Sequence, residues 1–259
     1  ELLPEERLAY IDAMNAFSSV ANITFNQGEN DTESHILWAS LDNDDSDLGD
    51  GPALGWAAPP DVTDSVTNSS GDPSGLTTQN WEKYSINNSA DDPSILLPGS
   101  YFYITTIHEL GHSLGLKHPH DNSTGIVFPG VEGEKDGGDN GLNATPFTVM
   151  TYNDIGANKY VPKGELYSGF LETLGAFDIA AIQYLYGPNV SENSGDNIYF
   201  LDSSELRGWN CIWDNGGEDA ISAINASSSS LIDLRNASLK NEKGGGGYIS
   251  QVGNQTLGY

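Results

Sequence analysis

The string His108-Glu109-Leu110-Gly111-His112-Ser113-Leu114-Gly115-Leu116-Lys117-His118 constrains this chain more than any other part of it, and it holds three of the 5 histidines in 259 residues. On a helix, His108 and His112 lie one turn apart on the same face, so two imidazoles can reach one ion while Glu109 points beside the coordination position they leave open. Gly115 lets the backbone take a left-handed conformation, which ends the helix and swings His118 back as a third ligand. The apolar spacing predicts this helix over Ile104 to Leu116, with Ile104, Ile107, Leu110 and Leu114 on or near a buried face.

A zinc ion held by three neutral imidazoles keeps its fourth position for water and lowers the pKa of that water toward about 7. Glu109 is then placed to accept the proton. Thr148-Val149-Met150-Thr151-Tyr152 supplies a candidate for the other side of the metal: Met150 is one of 2 methionines, and Tyr152 follows it by two residues.

Composition narrows the partners. The formal net charge of -27, from 37 acidic against 10 basic residues, argues against nucleic acid and anionic membranes, which need positive surface, and suits calcium or salty surroundings. No apolar run approaches the length of a bilayer crossing, and Glu1-Leu2-Leu3-Pro4 is not a basic leader, so a soluble chain without membrane insertion is expected. The single cysteine, Cys211, excludes an internal disulfide framework and any zinc site built on several thiolates; it reads as a small buried hydrophobe.

Pro4 to Phe17 reads as a first helix, opening on Pro4, Glu5 and Glu6 and carrying Leu8, Ile11 and Met14 at helical spacing. Strand-like runs follow at Asn22–Phe25, Ile36–Leu41 and Leu54–Ala58. A third helix fits Leu171 to Tyr186, with Leu174, Phe177, Ala181, Ile182 and Leu185 as its stripe and Gly187-Pro188 as its stop. Beyond Asn193 only short strand-like pieces recur, at Asn197–Leu201, Cys211–Trp213, Leu231–Leu234 and Tyr248–Gln251. The long connection Pro119 to Val149 is expected to wall a cleft. The acidic run Asp42 to Asp50 reads as either a solvated turn or a calcium loop without EF-hand register.

The zinc string followed by Met150 resembles the metzincin metalloproteases. Within that clan the chain looks like the serralysin family, because Pro119 follows the third histidine and Tyr152 stands two positions after Met150. Val20 to Phe25 resembles the family's first strand, Asp178 to Gly187 its third helix, and Ile212 to Asp219 the opening of its calcium-binding C-terminal part. The resemblance implies an α+β fold: a metzincin catalytic domain over residues 1–187, with a twisted mixed sheet, active-site helix and Met-turn, then a short β-rich calcium-binding segment over 188–259. It implies that His108, His112 and His118 bind zinc, that Glu109 is the general base, that Met150 forms a hydrophobic floor, and that Tyr152 is a fourth, displaceable ligand able to stabilise an oxyanion. It further implies a secreted, monomeric zinc endopeptidase acting on protein or peptide substrates, which lie extended along an edge strand near Leu54–Ala58.

The resemblance also implies where calcium goes: a loop around Asn193, Gly195 and Asn197 would meet Asp214, Gly216 and Asp219, mixing backbone carbonyls with carboxylates; ordinary Gly/Asp turns are the alternative. The chain departs from the family in two ways. Gly244-Gly245-Gly246-Gly247-Tyr248 is not a nonapeptide calcium repeat, and His120, read as a surface histidine, replaces a small residue. A non-catalytic metal-binding matrix or adhesion protein on the same scaffold is the rival reading; it predicts decay of Glu109 or a ligand, and neither has decayed.

Overall fold

The computed structural model describes residues 4–29, 34–36, 38–40, 55–57, 77–79, 96–154, 169–201, 208–226, 228–252 and 255–258. Among the described residues, three α-helices organise the part that carries the metal-binding string: α1 (Pro4–Val20), α2 (Tyr101–Ser113) and α3 (Ala176–Tyr186). Strands β1 (Trp38–Ser40), β2 (Gly55–Ala57) and β3 (Thr77–Gln79) form a mixed sheet in the order β1-β3-β2, with β1 parallel and β2 antiparallel to β3. Helix α2 packs against α1 on one side and against β2 and β3 on the other. This is the α+β arrangement expected, and it makes β2 an edge strand among the described residues.

Helix α2 starts earlier than its apolar period suggests. The Ser100 hydroxyl accepts from the Tyr103 N–H at 3.2 Å and caps the first turn, so the helix takes in Tyr101, Phe102 and Tyr103 before Ile104. It also ends earlier, at Ser113. Gly115 sits at φ 99°, its N–H donates to the His112 carbonyl at 2.9 Å, and the Leu116 N–H donates to the Gly111 carbonyl at 2.9 Å. These paired bonds form a Schellman turn, which satisfies carbonyls the helix would otherwise leave open. Ile104, Ile107, Leu110 and Leu114 are all buried, as their spacing predicts.

In α1 the sequence pattern points to the wrong face. Leu8 and Ile11 are exposed, whereas Ala9, Tyr10, Ala13, Phe17 and Val20 enter the core. Small residues and a tyrosine thus supply much of the buried face of α1, and the Tyr10 ring lies tilted against that of Trp38 with centroids 3.8 Å apart. The run Asn22–Phe25 is not a strand: it leaves α1 through a single bridge between Ala21 and Pro188. Helix α3 begins at Ala176 rather than Leu171, because Leu171 bridges Trp209 and the Glu172 N–H donates to the Trp209 carbonyl. Its buried face is Ala176, Ile179 and Ile182, while Ala181 and Leu185 are exposed.

The remaining strands are β4 (Ile198–Phe200) parallel to β5 (Ala220–Ser222), and β6 (Ser230–Leu231), β7 (Ile249–Val252) and β8 (Gln255–Gly258) in an antiparallel sheet. Cys211–Trp213 is not a strand; Cys211 and Trp213 instead pack, with Ile249, against the main core that holds Phe17, Leu110, Leu174 and Trp209. Each such buried side chain contributes about 1.5–3 kcal/mol of transfer free energy. The acidic run Asp42 to Asp50 and the strand ends Leu54 and Ala58 lie outside the described residues.

Candidate metal centre

Helix α2 presents His108 and His112 from consecutive turns, and the Schellman turn brings His118 back against them. The His118 Nε2 lies 3.0 Å from the Nε2 of His108 and 3.0 Å from that of His112. The other ring nitrogens fix the tautomers. The His108 Nδ1–H donates to the Val149 carbonyl at 2.8 Å, and the His112 Nδ1–H donates to the Leu116 carbonyl at 2.8 Å, so both Nε2 atoms present lone pairs. One proton on His118 cannot satisfy two converging lone pairs. A cation at their centre satisfies all three, and three neutral imidazoles are a donor set that suits zinc.

Burial and mutual crowding keep the imidazoles neutral, as ligation requires. The His108 ring is held well below its ordinary range by desolvation, then by His112 and His118; desolvation lowers His112, and lowers His118 to about 3 with help from His112 and His120. Among the described residues this is the one cluster of three or more His, Cys, Asp or Glu side chains whose ligand atoms converge on a metal-sized site.

Glu109 is buried, and desolvation pushes its carboxyl up to about 8. The edge strand lies on it: a β-carbon at Gly55 would stand 2.8 Å from Glu109 Cγ and Oε1. Beside Glu109 opens a cleft of about 490 Å³, lined among others by Gly55, Tyr101, Glu109, Lys135, Tyr152 and Phe170. Lys135 and Thr145 come from the long Pro119–Val149 connection, which forms a wall of the cleft as expected. That connection is ordered by Asp136, whose carboxylate accepts from the N–H groups of Glu132 and Gly138, and whose carbonyl accepts from the Asn143 and Asn153 side chains.

The segment after this connection passes beneath the metal cluster. Met150 is buried, and its sulfur lies under Gly111 of α2. Asp178, at the third position of α3, holds the turn in place: its carboxylate accepts from the Thr148 hydroxyl at 2.6 Å, the Val149 N–H at 2.7 Å and the Gly175 N–H at 2.9 Å. Val149 is thus tied through its N–H to Asp178 and through its carbonyl to His108. The Tyr152 ring lies 4.6 Å from that of His118 and 5.8 Å from that of His108.

A family model described as Matrixin matches residues 4–139, and one described as Met-zincin matches residues 97–205. The chain belongs to the metzincins, and within them to the serralysin type. It is 29% identical over 253 residues to the metallopeptidase AprA of Pseudomonas marginalis, covering 92% of this chain and 48% of that protein. It is 32% identical over 148 residues to the serralysin of Proteus mirabilis (53% of this chain, 28% of that protein), and 30% identical over 192 residues to serralysin C of Dickeya chrysanthemi (70% and 37%). The chain therefore spans about half or less of the length of these relatives.

In this metzincin His120 is not a surface residue. It is half-buried and stacks on His118 at 4.9 Å with planes 10° apart, and its Nδ1 is buried without a partner. The roles of Asp178, Gly55, Lys135 and His120 are not visible in the sequence, because each depends on contact between segments far apart in the chain. The two suspected calcium loops do meet: the Asn215 N–H donates to the Asn193 carbonyl at 3.0 Å, and the Asn197 N–H to Asp219 Oδ1 at 2.9 Å. Asp214 accepts from the Gly216 N–H and from the Tyr199 hydroxyl, and Gly217 packs on the Gly195 carbonyl. Asn197 Oδ1 is buried and unpartnered.

Proposed function

We propose that this chain carries the hydrolytic unit of a secreted, monomeric zinc endopeptidase that cleaves protein or peptide substrates, with Glu109 as general base. The observation that carries this reading is the buried Glu109 carboxyl, placed between three converging imidazoles and an edge strand. When bound, zinc supplies Lewis acidity, which acidifies water and polarises a carbonyl. Beside that site Glu109 has its carboxyl pushed up to about 8 by burial, close to the range in which one carboxylate can take a proton and return it.

Glu109 takes the proton of the attacking water and delivers it to the leaving amine. The Tyr152 phenol donates a hydrogen bond to the substrate oxygen as negative charge develops there. Its own proton is secure, since burial and the neighbouring Glu109 push the phenol up to about 12. An extended peptide adds to the edge that β2 leaves unpaired among the described residues, where Gly55 lets the substrate backbone come close to Glu109.

Calcium belongs to the same reading, held by Asn193, Gly195, Asn197, Asp214, Gly216 and Asp219 in the segment after residue 187. The unpartnered Asn197 oxygen supports it, as do the Asp214 and Asp219 carboxylates, which keep free lone pairs beyond the hydrogen bonds they accept.

Glu109→Ala tests the function. The variant is expected to fold, to bind zinc with the stoichiometry of the parent, and to lose casein-cleaving turnover by about 10²–10⁴-fold. Near-parental cleavage by that variant would remove the mechanism. Absence of any chelator-sensitive cleavage in the parent would favour a non-catalytic scaffold.

A further inference from the structure

Lys135 belongs to a Gly- and Glu-rich stretch that carries no periodic signal, yet it reaches the cleft at a single residue. Its Nζ donates to the Tyr152 backbone carbonyl at 2.9 Å and lies 5.6 Å from the centroid of the Tyr152 ring. Both contacts are made to the residue whose phenol faces the metal cluster, and Lys135 lines the same cleft as Glu109, His108 and Tyr152. The Tyr152 ring is also bordered by His118, His108 and His120, with centroids at 4.6, 5.8 and 5.2 Å. The ring therefore neighbours both imidazoles and a cation, and the same cation ties down the backbone about which it turns.

We infer that Lys135 is a positioning residue for Tyr152: it fixes the pivot of the tyrosine by the backbone bond and confines the ring by a cation–π contact, so that the phenol meets the substrate oxygen in one orientation. This rests on the oxyanion role of Tyr152 proposed above. The chemistry suits a lysine, because one ammonium group can donate to a carbonyl and still present positive charge to a ring face. Tyr152 needs such support. It is 37% exposed and follows buried Met150 by two residues, so part of its ring lies outside the core. Loss of a preorganising contact appears where charge develops, in kcat rather than in KM. Lys135 is itself exposed, which keeps the effect modest.

The test is a double-mutant cycle on the zinc-loaded protein with Lys135→Met and Tyr152→Phe, read by steady-state kinetics on one peptide and by the Kd of a phosphinic peptide that mimics the tetrahedral state. Lys135→Met is expected to lower kcat by about 3–10-fold with KM, zinc content and melting temperature unchanged, the scale of one exposed cation–π contact plus one hydrogen bond. It should weaken the phosphinic peptide by a similar factor. Lys135→Arg should restore most of both, and Lys135→Met should add nothing in the Tyr152→Phe background. If the two substitutions multiply, or if Lys135→Met alone changes neither kcat nor phosphinic-peptide binding, the positioning role is overturned. If instead Tyr152→Phe itself leaves kcat unchanged, the oxyanion role fails first, and the inference fails with it. Retained effects of Lys135→Met in that case would identify Lys135 as a substrate contact.

Discussion

A β-carbon at Gly111 would stand 2.8 Å from the sulfur of Met150. Gly111 lies between the two helical histidines, so the residue that looks like a weak point in α2 is where the Met150 side chain fits under the cluster. Gly111→Ala gains about 1 kcal/mol in helix propensity and loses about 1–3 kcal/mol to overpacking, so the net loss is at most about 2 kcal/mol and the melting temperature should fall by no more than several degrees. The metal should register the change, because displaced Met150 drags Val149, to which His108 is bonded. Zinc affinity is expected to fall about 10–100-fold, as for other groups that orient a ligand. Competition against a chromogenic chelator measures it; parental affinity would show that Met150 packing does not orient the histidines.

Gly55 makes the complementary contact on the substrate side. Gly55→Ala places a methyl 2.8 Å from Glu109 Cγ and Oε1. The end of a glutamate side chain yields easily, so fold and zinc content should survive. Displacing the base by roughly 1 Å is expected to lower kcat by about 10²-fold. Full activity with zinc bound would mean that Glu109 has room the structure does not show.

Asp178 gives a pH dependence. Burial pushes its carboxyl up from 3.8 to about 7, against three hydrogen bonds that favour the charged form. A raised folded-state pKa means that the folded chain holds this proton more tightly than the unfolded one. The stability it contributes is therefore fully present below about 4 and is lost as pH rises through about 7. Asp178→Asn can keep the pattern, with its amide N–H₂ toward Thr148 and its oxygen toward Val149 and Gly175. It should flatten this part of the stability–pH curve, as followed by denaturant melts from pH 4 to 8. Asp178→Ala leaves donors unpaired at about 1–3 kcal/mol each, and should also weaken zinc through Val149 and His108. A parental slope in the Asn variant would assign the pH dependence elsewhere.

For the loops around Asn193 and Asp214, calcium in millimolar excess over a zinc-selective buffer should raise the melting temperature and reduce proteolytic nicking beyond Gly187, since a ligand of the folded state stabilises it by mass action. Asp219→Asn should blunt the response. Melting indifferent to calcium would leave these residues as ordinary turns.

The metal cluster was legible in the sequence because its ligands are local. His108 and His112 need only a helix, and His118 only a left-handed glycine three residues past His112. The ends of that helix were less so: an apolar period marks the buried face, whereas the start is set by the Ser100 side-chain cap and the end by backbone hydrogen bonds at Leu114, Gly115 and Leu116. Periodicity misled in α1, where Leu8 and Ile11 are exposed and the smaller Ala9 and Ala13 are buried. It misled again at Asn22–Phe25, whose β-prone residues join no sheet among the described residues. Asp178, Gly55 and Lys135 act through partners 17 or more residues away, and no spacing rule reaches that far.

The Schellman turn at Gly115 has a consequence for how the ion comes and goes. The turn is closed by backbone hydrogen bonds and by buried Leu116, and His112 is tied to the Leu116 carbonyl, so ligand and turn are ordered together as the chain folds. The conformational entropy of gathering three imidazoles is therefore lost during folding rather than at capture, and affinity is not discounted by an ordering step. In small zinc modules the ion itself drives folding. Metal exchange and unfolding are therefore expected to be separate events here, and far-UV circular dichroism should stay unchanged when a chelator strips the ion.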